Sequence, residues 1–191
     1  MKRPTVAGGG IVIAPFSNSG IRDWPGRHYT ALIRLLIDGP LGHLPVTVIG
    51  MRSHVLRSRE IVRALPSDRV VDLCGDLSWS EMVGMLRTAQ CIVANNSGVA
   101  HLGGHFGVPT ISIFAGTHQR REWRALGSDV VVISRAIGCA PCQLDHGQTS
   151  PYDKACLREI APEAVADAVL KAVRRKTLMA SPATPQRIGV R

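Results

Sequence analysis

The chain has 191 residues, 45% of them hydrophobic, and a mean hydropathy of +0.10. That length fits one domain or two very small ones, and that hydrophobic share excludes a mainly disordered chain. The net charge is +9, but Lys171, Arg174, Arg175, Lys176, Arg187 and Arg191 all lie in residues 171–191, which contain no acid, leaving 17 basic against 14 acidic residues over 1–170. A body at +3 argues against a nucleic-acid groove, so no nucleic-acid partner is expected.

No apolar run approaches the ~18–20 residues of a membrane span. Pro4 and Gly8-Gly9-Gly10 interrupt any signal-peptide core after Lys2 and Arg3. A cytoplasmic setting is therefore expected, with at most peripheral membrane contact. Five cysteines are an odd number, and no disulfide framework is expected from them.

In chain order, residues 1–9 read as a flexible leader. Gly10-Ile11-Val12-Ile13-Ala14, stopped by Pro15, has the length and β-branching of a buried strand. After a polar Ser17-Asn18-Ser19-Gly20 loop, Trp24-Pro25 leads into Tyr29, Leu32, Ile33, Leu35 and Leu36 at helical spacing, with Pro25 in the first turn. Residues 46–50 predict a strand, 55–65 a helix and 70–73 a strand. Ser78-Trp79-Ser80-Glu81 is a capping-box pattern ahead of a helix carrying Met82, Val83 and Leu86. Strands at 91–94, 109–114 and 130–133 follow, with a helix at 97–106 after the first of these. A last helix spans 162–175. One folded domain is expected over 10–176, and 177–191, with Pro182 and Pro185 and no period, read as a disordered basic tail. Six strands alternating with helices imply an α/β fold: a single Rossmann-like, doubly wound parallel sheet.

In such a sheet, ligands bind at the carboxyl ends of the strands, which narrows the search to the loops after them. Ala94-Asn95-Asn96-Ser97-Gly98-Val99-Ala100-His101 follows a strand and opens a helix. Asn96 or Ser97 caps that helix in this reading. Gly98 lets a ligand approach the backbone, and His101 falls in the first turn. Free N–H groups and the positive dipole end suit a phosphate there. The same residues also fit a plain cap with a surface histidine. Ser17, Asn18 and Arg22 put hydroxyl, amide and guanidinium donors in one loop, a set that suits a diphosphate. The bland alternative is a surface loop with a solvated Asp23–Arg22 pair. Phe114-Ala115-Gly116-Thr117-His118 lies beside the Asn96 loop if the strand order is regular. Gly103, Gly104 and Gly107 read as close-packing positions. Gly8-Gly9-Gly10 precedes its strand, whereas a dinucleotide fingerprint must follow one. Cys139, Cys142, His146 and Cys156 space as C-x2-C-x3-H-x9-C, which fits a structural zinc or three reduced cysteines packing a loop. Cys74 and Cys91 read as core.

Together these loops resemble glycosyltransferase family 9, the bacterial lipopolysaccharide heptosyltransferases. That family carries an Asp-Thr/Ser-Gly-x-x-His turn, a Gly-x-Pro strand and a Gly-x-Thr loop; Ser97, Gly98, His101, Gly107, Pro109, Gly116 and Thr117 match. Residues Ser17 to Pro25 resemble the family's hydroxyl-rich loop ending in Lys-x-Trp-Pro. Some members also carry clustered cysteines where Cys139, Cys142 and Cys156 stand. The resemblance implies the C-terminal half of a GT-B enzyme. That half binds a nucleoside-diphosphate sugar such as ADP-heptose, for inverting transfer to a lipopolysaccharide or other glycan acceptor. It implies donor contacts from Ser17, Asn18, Arg22, Asn96, Ser97, Gly98, His101, Gly116 and Thr117, with Arg22 stabilising the leaving group. The general base is expected in a separate N-terminal partner domain or chain, and no cofactor is required. A non-catalytic nucleotide-sugar-binding remnant or subunit is the alternative. Three departures stand out: Asn96 replaces the usual Asp, Arg22 the usual Lys, and Gly50-Met51-Arg52-Ser53-His54 lacks the family's ribose-binding Glu.

Overall fold

The computed structural model describes residues 9–144 and 153–180. Six strands run parallel: β1 (Ile11–Ala14), β2 (Val46–Val48), β3 (Val70–Asp72), β4 (Cys91–Asn95), β5 (Thr110–Ile113) and β6 (Val130–Ile133). Their order in the sheet is β3-β2-β1-β4-β5-β6. In register, Ile11 pairs with Val46 on one side and Cys91 on the other, and Ile92 pairs with Thr110. The expected doubly wound parallel sheet is thus present.

Helices cover both faces: α1 (Gly26–Asp38), α2 (Val55–Val62), α3 (Trp79–Thr88), α4 (Gly98–His105), and α7 (Pro162–Ala180), with the one-turn α5 (Arg120–Trp123) and α6 (Ala155–Arg158) between the last two. Side chains alternate across a strand, so one strand feeds two cores. Ile11, Ile13, Cys91, Val93, Ile111 and Ile113 join Leu32, Ile33 and Leu36 of α1 and Val165, Val169 and Ala172 of α7. Val12, Ala14, Ile92 and Ala94 join Met85 and Leu86 of α3 and Ala100 of α4. Both faces of the central strands are apolar because both are covered. Each fully buried Ile or Leu contributes about 1.5–3 kcal/mol of transfer free energy.

Boundaries shift by a residue or a few from the expected ones. Pro25 stands at the N-cap of α1 rather than inside its first turn, and its carbonyl accepts from the N–H groups of His28 and Tyr29. The capping box is present, with Ser78 and Glu81 each bonding the other's backbone N–H. Gly103 is needed for close approach, since a Cβ there would lie 2.3 Å from Thr110 Oγ1. Gly107 instead turns the chain at φ +66° with open space around it, so its role is conformational rather than packing. Helix α7 continues through Ala180, so residues 177–180 are helical rather than part of a tail. Lys176 ties this end down by donating to the Ala89 carbonyl at 2.7 Å, and Thr177 Oγ1 bonds the Val173 carbonyl. Residues 1–8 and 181–191 lie outside the described residues.

Candidate functional site

The strand order reverses between β1 and β4, and the carboxyl ends of these two strands form the switch point where ligands of such sheets bind. Three loops meet the sheet there: 15–25 after β1, 96–97 after β4 and 114–119 after β5. Strand β5 neighbours β4, so the third loop does lie beside the second.

The loop after β1 is organised around a buried carboxylate. Asp23 is 1% exposed. Its Oδ1 accepts from the Ser17 N–H (2.7 Å), the Ser17 hydroxyl (2.8 Å) and Asn95 Nδ2 (3.2 Å), and its Oδ2 pairs with Arg57 at 2.8 Å. The solvated Asp23–Arg22 pair is therefore replaced by a buried Asp23–Arg57 pair. Arg57, from the first turn of α2, also lies over the Phe16 ring at 4.7 Å. Trp24 locks the far end of the loop. It is buried edge-on against Tyr29 and its indole N–H donates to the Ile160 carbonyl at 3.2 Å. Lys154 Nζ bonds the Gly20 carbonyl at 3.2 Å.

This arrangement separates the residues expected to touch a diphosphate. Ser17 is buried, and its hydroxyl lies against the Ser19 carbonyl (2.7 Å) and Asp23, so its polar atom is engaged inside the loop. Asn18 is exposed, and its side-chain oxygen accepts from Arg22. Arg22 retains a buried Nε without a partner among the described residues.

The turn after β4 is the opposite case. Ser97 occupies the N-cap of α4 but makes no side-chain cap bond. Asn96 Oδ1 and Ser97 Oγ are both buried without a partner among the described residues. The expected side-chain cap is thus missing; the Ser97 carbonyl takes the Ala100 and His101 N–H groups at 3.0 and 3.4 Å, and those of Gly98 and Val99 are left for another acceptor. A Cβ at Gly98 would meet nothing within 4 Å, so the backbone is open from that side. His101 sits exposed in the first turn, as anticipated.

In the loop after β5, the backbone of Gly116 and Thr117 accepts from the N–H groups of Cys142 (2.9 Å) and Gln143 (2.8 Å), and the Gly116 N–H lies 3.4 Å from Cys156 Sγ. A Cβ at Gly116 would meet Ala140 Cβ at 3.0 Å, so this glycine allows the cysteine-bearing segment to pack closely. Thr117 is buried, and its hydroxyl is 2.9 Å from His118 Nδ1. Burial raises the Cys156 thiol pKa, with Cys139 and Cys142 near enough to add to the effect. All three thiols are free. His146 lies outside the described residues, and among those described no group of three or more His, Cys, Asp or Glu could hold a metal ion. Cys74 and Cys91 are buried, as expected, and burial pushes their thiols up to about 11 and about 12.

After β2, His54 Nδ1 accepts from the Met51 N–H, its ring leans on Phe16, and no carboxylate stands in residues 50–54. Beside this region a cleft of about 410 Å³ opens between α1 and α2, lined by Phe16, Trp24, Arg27, Arg57 and Glu60. It lies on the flank of the β1 loop and does not include the α4 N-terminus.

Neither the motifs nor their spacing mark Asn95, Tyr29, Arg57 or the buried role of Asp23. The one available signal was an amide closing the hydrophobic run Cys91-Ile92-Val93-Ala94, a polar residue where a fully buried strand should end.

Comparisons with known proteins agree with the architecture. Lipooligosaccharide heptosyltransferase 2 of Haemophilus influenzae is 26% identical over 143 residues, covering 73% of this chain and 40% of that protein. The structure of E. coli ADP-heptose LPS heptosyltransferase II superposes with a TM-score of 0.74 at 20% identity, over 89% of this chain and 48% of its own. E. coli heptosyltransferase WaaC with ADP gives 0.68 at 20% identity, over 88% and 46%. The iron-containing dodecameric glycosyltransferase TibC of E. coli gives 0.65 at 18% identity, over 92% and 47%. The chain therefore spans about half the length of these relatives or less. Among its described residues, no helix is long and apolar enough to cross a membrane. The model of glycosyltransferase family 9 (heptosyltransferase) matches residues 4–153, and the chain belongs to that family.

Proposed function

We propose that this chain is the donor-binding half of a GT-B-type glycosyltransferase and takes a nucleoside-diphosphate sugar of the ADP-heptose kind. The observation that carries the reading is the start of α4 without a side-chain cap: among the described residues Asn96 Oδ1 and Ser97 Oγ are buried and have no partner there, nor has Nε of Arg22 in the neighbouring β1 loop. An anionic diphosphate suits the free N–H groups and the positive end of the helix dipole. Related structures are named for ADP and ADP-heptose complexes, which motivates adenine as the base. The site residues are Asn18, Arg22, Asn96, Ser97, Gly98 and His101. Ser17, Gly116 and Thr117 shape the loops around them.

The transfer is inverting. An acceptor hydroxyl, on lipopolysaccharide or another glycan, loses its proton to a base and attacks the anomeric carbon. The bond from that carbon to the diphosphate oxygen breaks as the new glycosidic bond forms. Arg22 and the α4 N-terminus stabilise the charge that develops on the departing diphosphate. The three loops contain one carboxylate, Asp23, which is buried and fully bonded. In this reading the base belongs to a complementary N-terminal domain or chain, and the reaction to the cytoplasmic side of the membrane.

The test is a thermal-shift titration with ADP, UDP and GDP. ADP is expected to raise the midpoint of the native protein, because a ligand that binds only the folded state stabilises it. Arg22→Ala should weaken ADP about tenfold, the loss of one charge-assisted contact. No shift with any of the three nucleotides overturns the donor-site reading. The buried state of Asp23 also favours a second reading, a nucleotide-sugar-binding subunit without transfer activity. ADP binding with no sugar transfer, even when the complementary half is supplied, would select it.

A further inference from the structure

Asn95 is the last residue of β4 and is 0% exposed. Its side chain makes four hydrogen bonds. Oδ1 accepts from the Trp24 N–H at 3.1 Å and the Tyr29 hydroxyl at 2.8 Å, while Nδ2 donates to the Pro15 carbonyl at 2.6 Å and Asp23 Oδ1 at 3.2 Å. Two lone pairs and two N–H groups are all that an amide offers, so it is saturated. The orientation is also fixed. Turned over, the amide would set its N–H groups against two donors and its oxygen against a carbonyl and a carboxylate. Burial pushes the Tyr29 phenol well above its ordinary value, with the Asp23 charge adding to the shift, so it stays a donor.

The partners of this one amide are spread along the whole β1 loop, from Pro15 at its start to Trp24 at its end. Asp23 then passes the constraint to Ser17 and Arg57. The residue that follows Asn95 is Asn96, the first of the open turn.

We infer that Asn95 is a positioning residue that couples the two halves of the ligand site, fixing the Arg22-bearing loop relative to the Asn96–Gly98 turn. No other side chain of similar shape meets these demands. Aspartate keeps the acceptor but loses both donors and faces Asp23 and the Pro15 carbonyl with negative charge. Leucine leaves the Trp24 N–H, the Tyr29 hydroxyl and the Pro15 carbonyl buried without this partner, while Asp23 Oδ1 keeps its bonds from Ser17. The effect of Asn95 on nucleotide affinity rests on the donor-site reading above, whereas its hold on the two loops does not.

The experiment therefore reads both. Amide hydrogen exchange and ADP affinity are measured on the wild type, Asn95→Asp, Tyr29→Phe and Val70→Ala, the last a core truncation on the far edge strand β3. In Asn95→Asp, exchange is expected to rise about tenfold or more at residues 17–22 and 96–99 together, with ADP affinity falling by at least about tenfold. Tyr29→Phe removes one donor to Asn95 with little change of shape, and should move the same two segments by about threefold. It also serves if Asn95→Asp does not fold. Val70→Ala should lower global stability and leave both segments and the ADP affinity unchanged. The inference is overturned if either Asn95 or Tyr29 variant loosens one loop without the other. It is also overturned if Val70→Ala loosens both loops as much for the same loss of stability. If the wild type binds no ADP, the donor-site reading falls and the exchange data alone decide the coupling.

Discussion

The loop after β1 and the turn after β4 leave adjacent parallel strands, yet they are built in opposite ways. The first is organised around a saturated centre: Asp23 of the loop and Asn95 of β4 are both buried and every polar atom of their side chains has a partner, although Ser19 Oγ and Arg22 Nε have none among the described residues. The second is barer, with Asn96 Oδ1 and Ser97 Oγ buried and unpartnered among the described residues and no side-chain cap on α4. Buried polar groups left unpaired cost about 1–3 kcal/mol each, so a fold tolerates them where a ligand completes them. The contrast separates scaffold from contact surface within one site. In the first region Ser17 and Asp23 hold the loop in place, whereas Asn96 and Ser97 of the second have buried polar atoms left for another partner.

The largest effect should come from the anchor of the loop after β1. Trp24→Ala removes a side chain that is 1% exposed, together with its bond to the Ile160 carbonyl. A loss of about 3–5 kcal/mol is expected in urea denaturation. A loss below about 1 kcal/mol would mean that the loop does not depend on this anchor. Arg57→Ala comes next. It strands the buried Asp23 carboxylate, but Arg57 is half-exposed and water can reach the gap. The expected cost is about 1–2 kcal/mol, read from the same denaturation curves.

On the bare side the sign of the argument reverses. An N-cap serine replaced by alanine ordinarily costs about 1 kcal/mol. Ser97 makes no cap bond, so Ser97→Ala should change stability by less than about 0.5 kcal/mol while weakening ADP about threefold. A full cap penalty with unchanged ADP affinity would assign Ser97 to the scaffold instead. The smallest effect concerns pH. Burial, with Arg57 adding to it, lowers the His54 pKa from its ordinary 6.5. The fold then favours neutral imidazole, so this contribution to stability is present above about pH 6.5 and is lost as pH falls below it. His54→Gln should flatten that part of the stability–pH curve, and an unchanged slope between pH 7.5 and 5.5 would remove His54 as its source.

Much of the framework was legible in the residues. Near-continuous apolar runs such as Ile11–Ala14 and Cys91–Ala94, spaced by helical periods, predict buried parallel strands because only a sheet covered on both faces needs them. The Ser97-Gly98-x-x-His101 turn and the Gly116-Thr117 loop were visible as motifs for the same reason: short, local signals occupy fixed places relative to a strand end. Less legible was which polar residues of the β1 loop turn inward. The ligand-facing reading turns Ser17 outward and the bland alternative pairs Asp23 with Arg22, yet Ser17 is bonded to Asp23, and Asp23 reaches Arg57, 34 residues away in sequence.

The succession of strands and helices, the parallel sheet and the location of the candidate site at the carboxyl ends of β1, β4 and β5 were all readable from local pattern. These follow from periodicity and from turn chemistry, which act over a few residues. The partners of Asn95, Asp23 and Trp24 depend instead on the assembled fold. Asn95 meets Trp24 across 71 positions and Trp24 meets Ile160 across 136. Hydrogen bonds between residues so far apart exist only after the sheet has brought the strand ends together. A polar residue carries no local mark of whether it will be buried as scaffold or left open for a ligand.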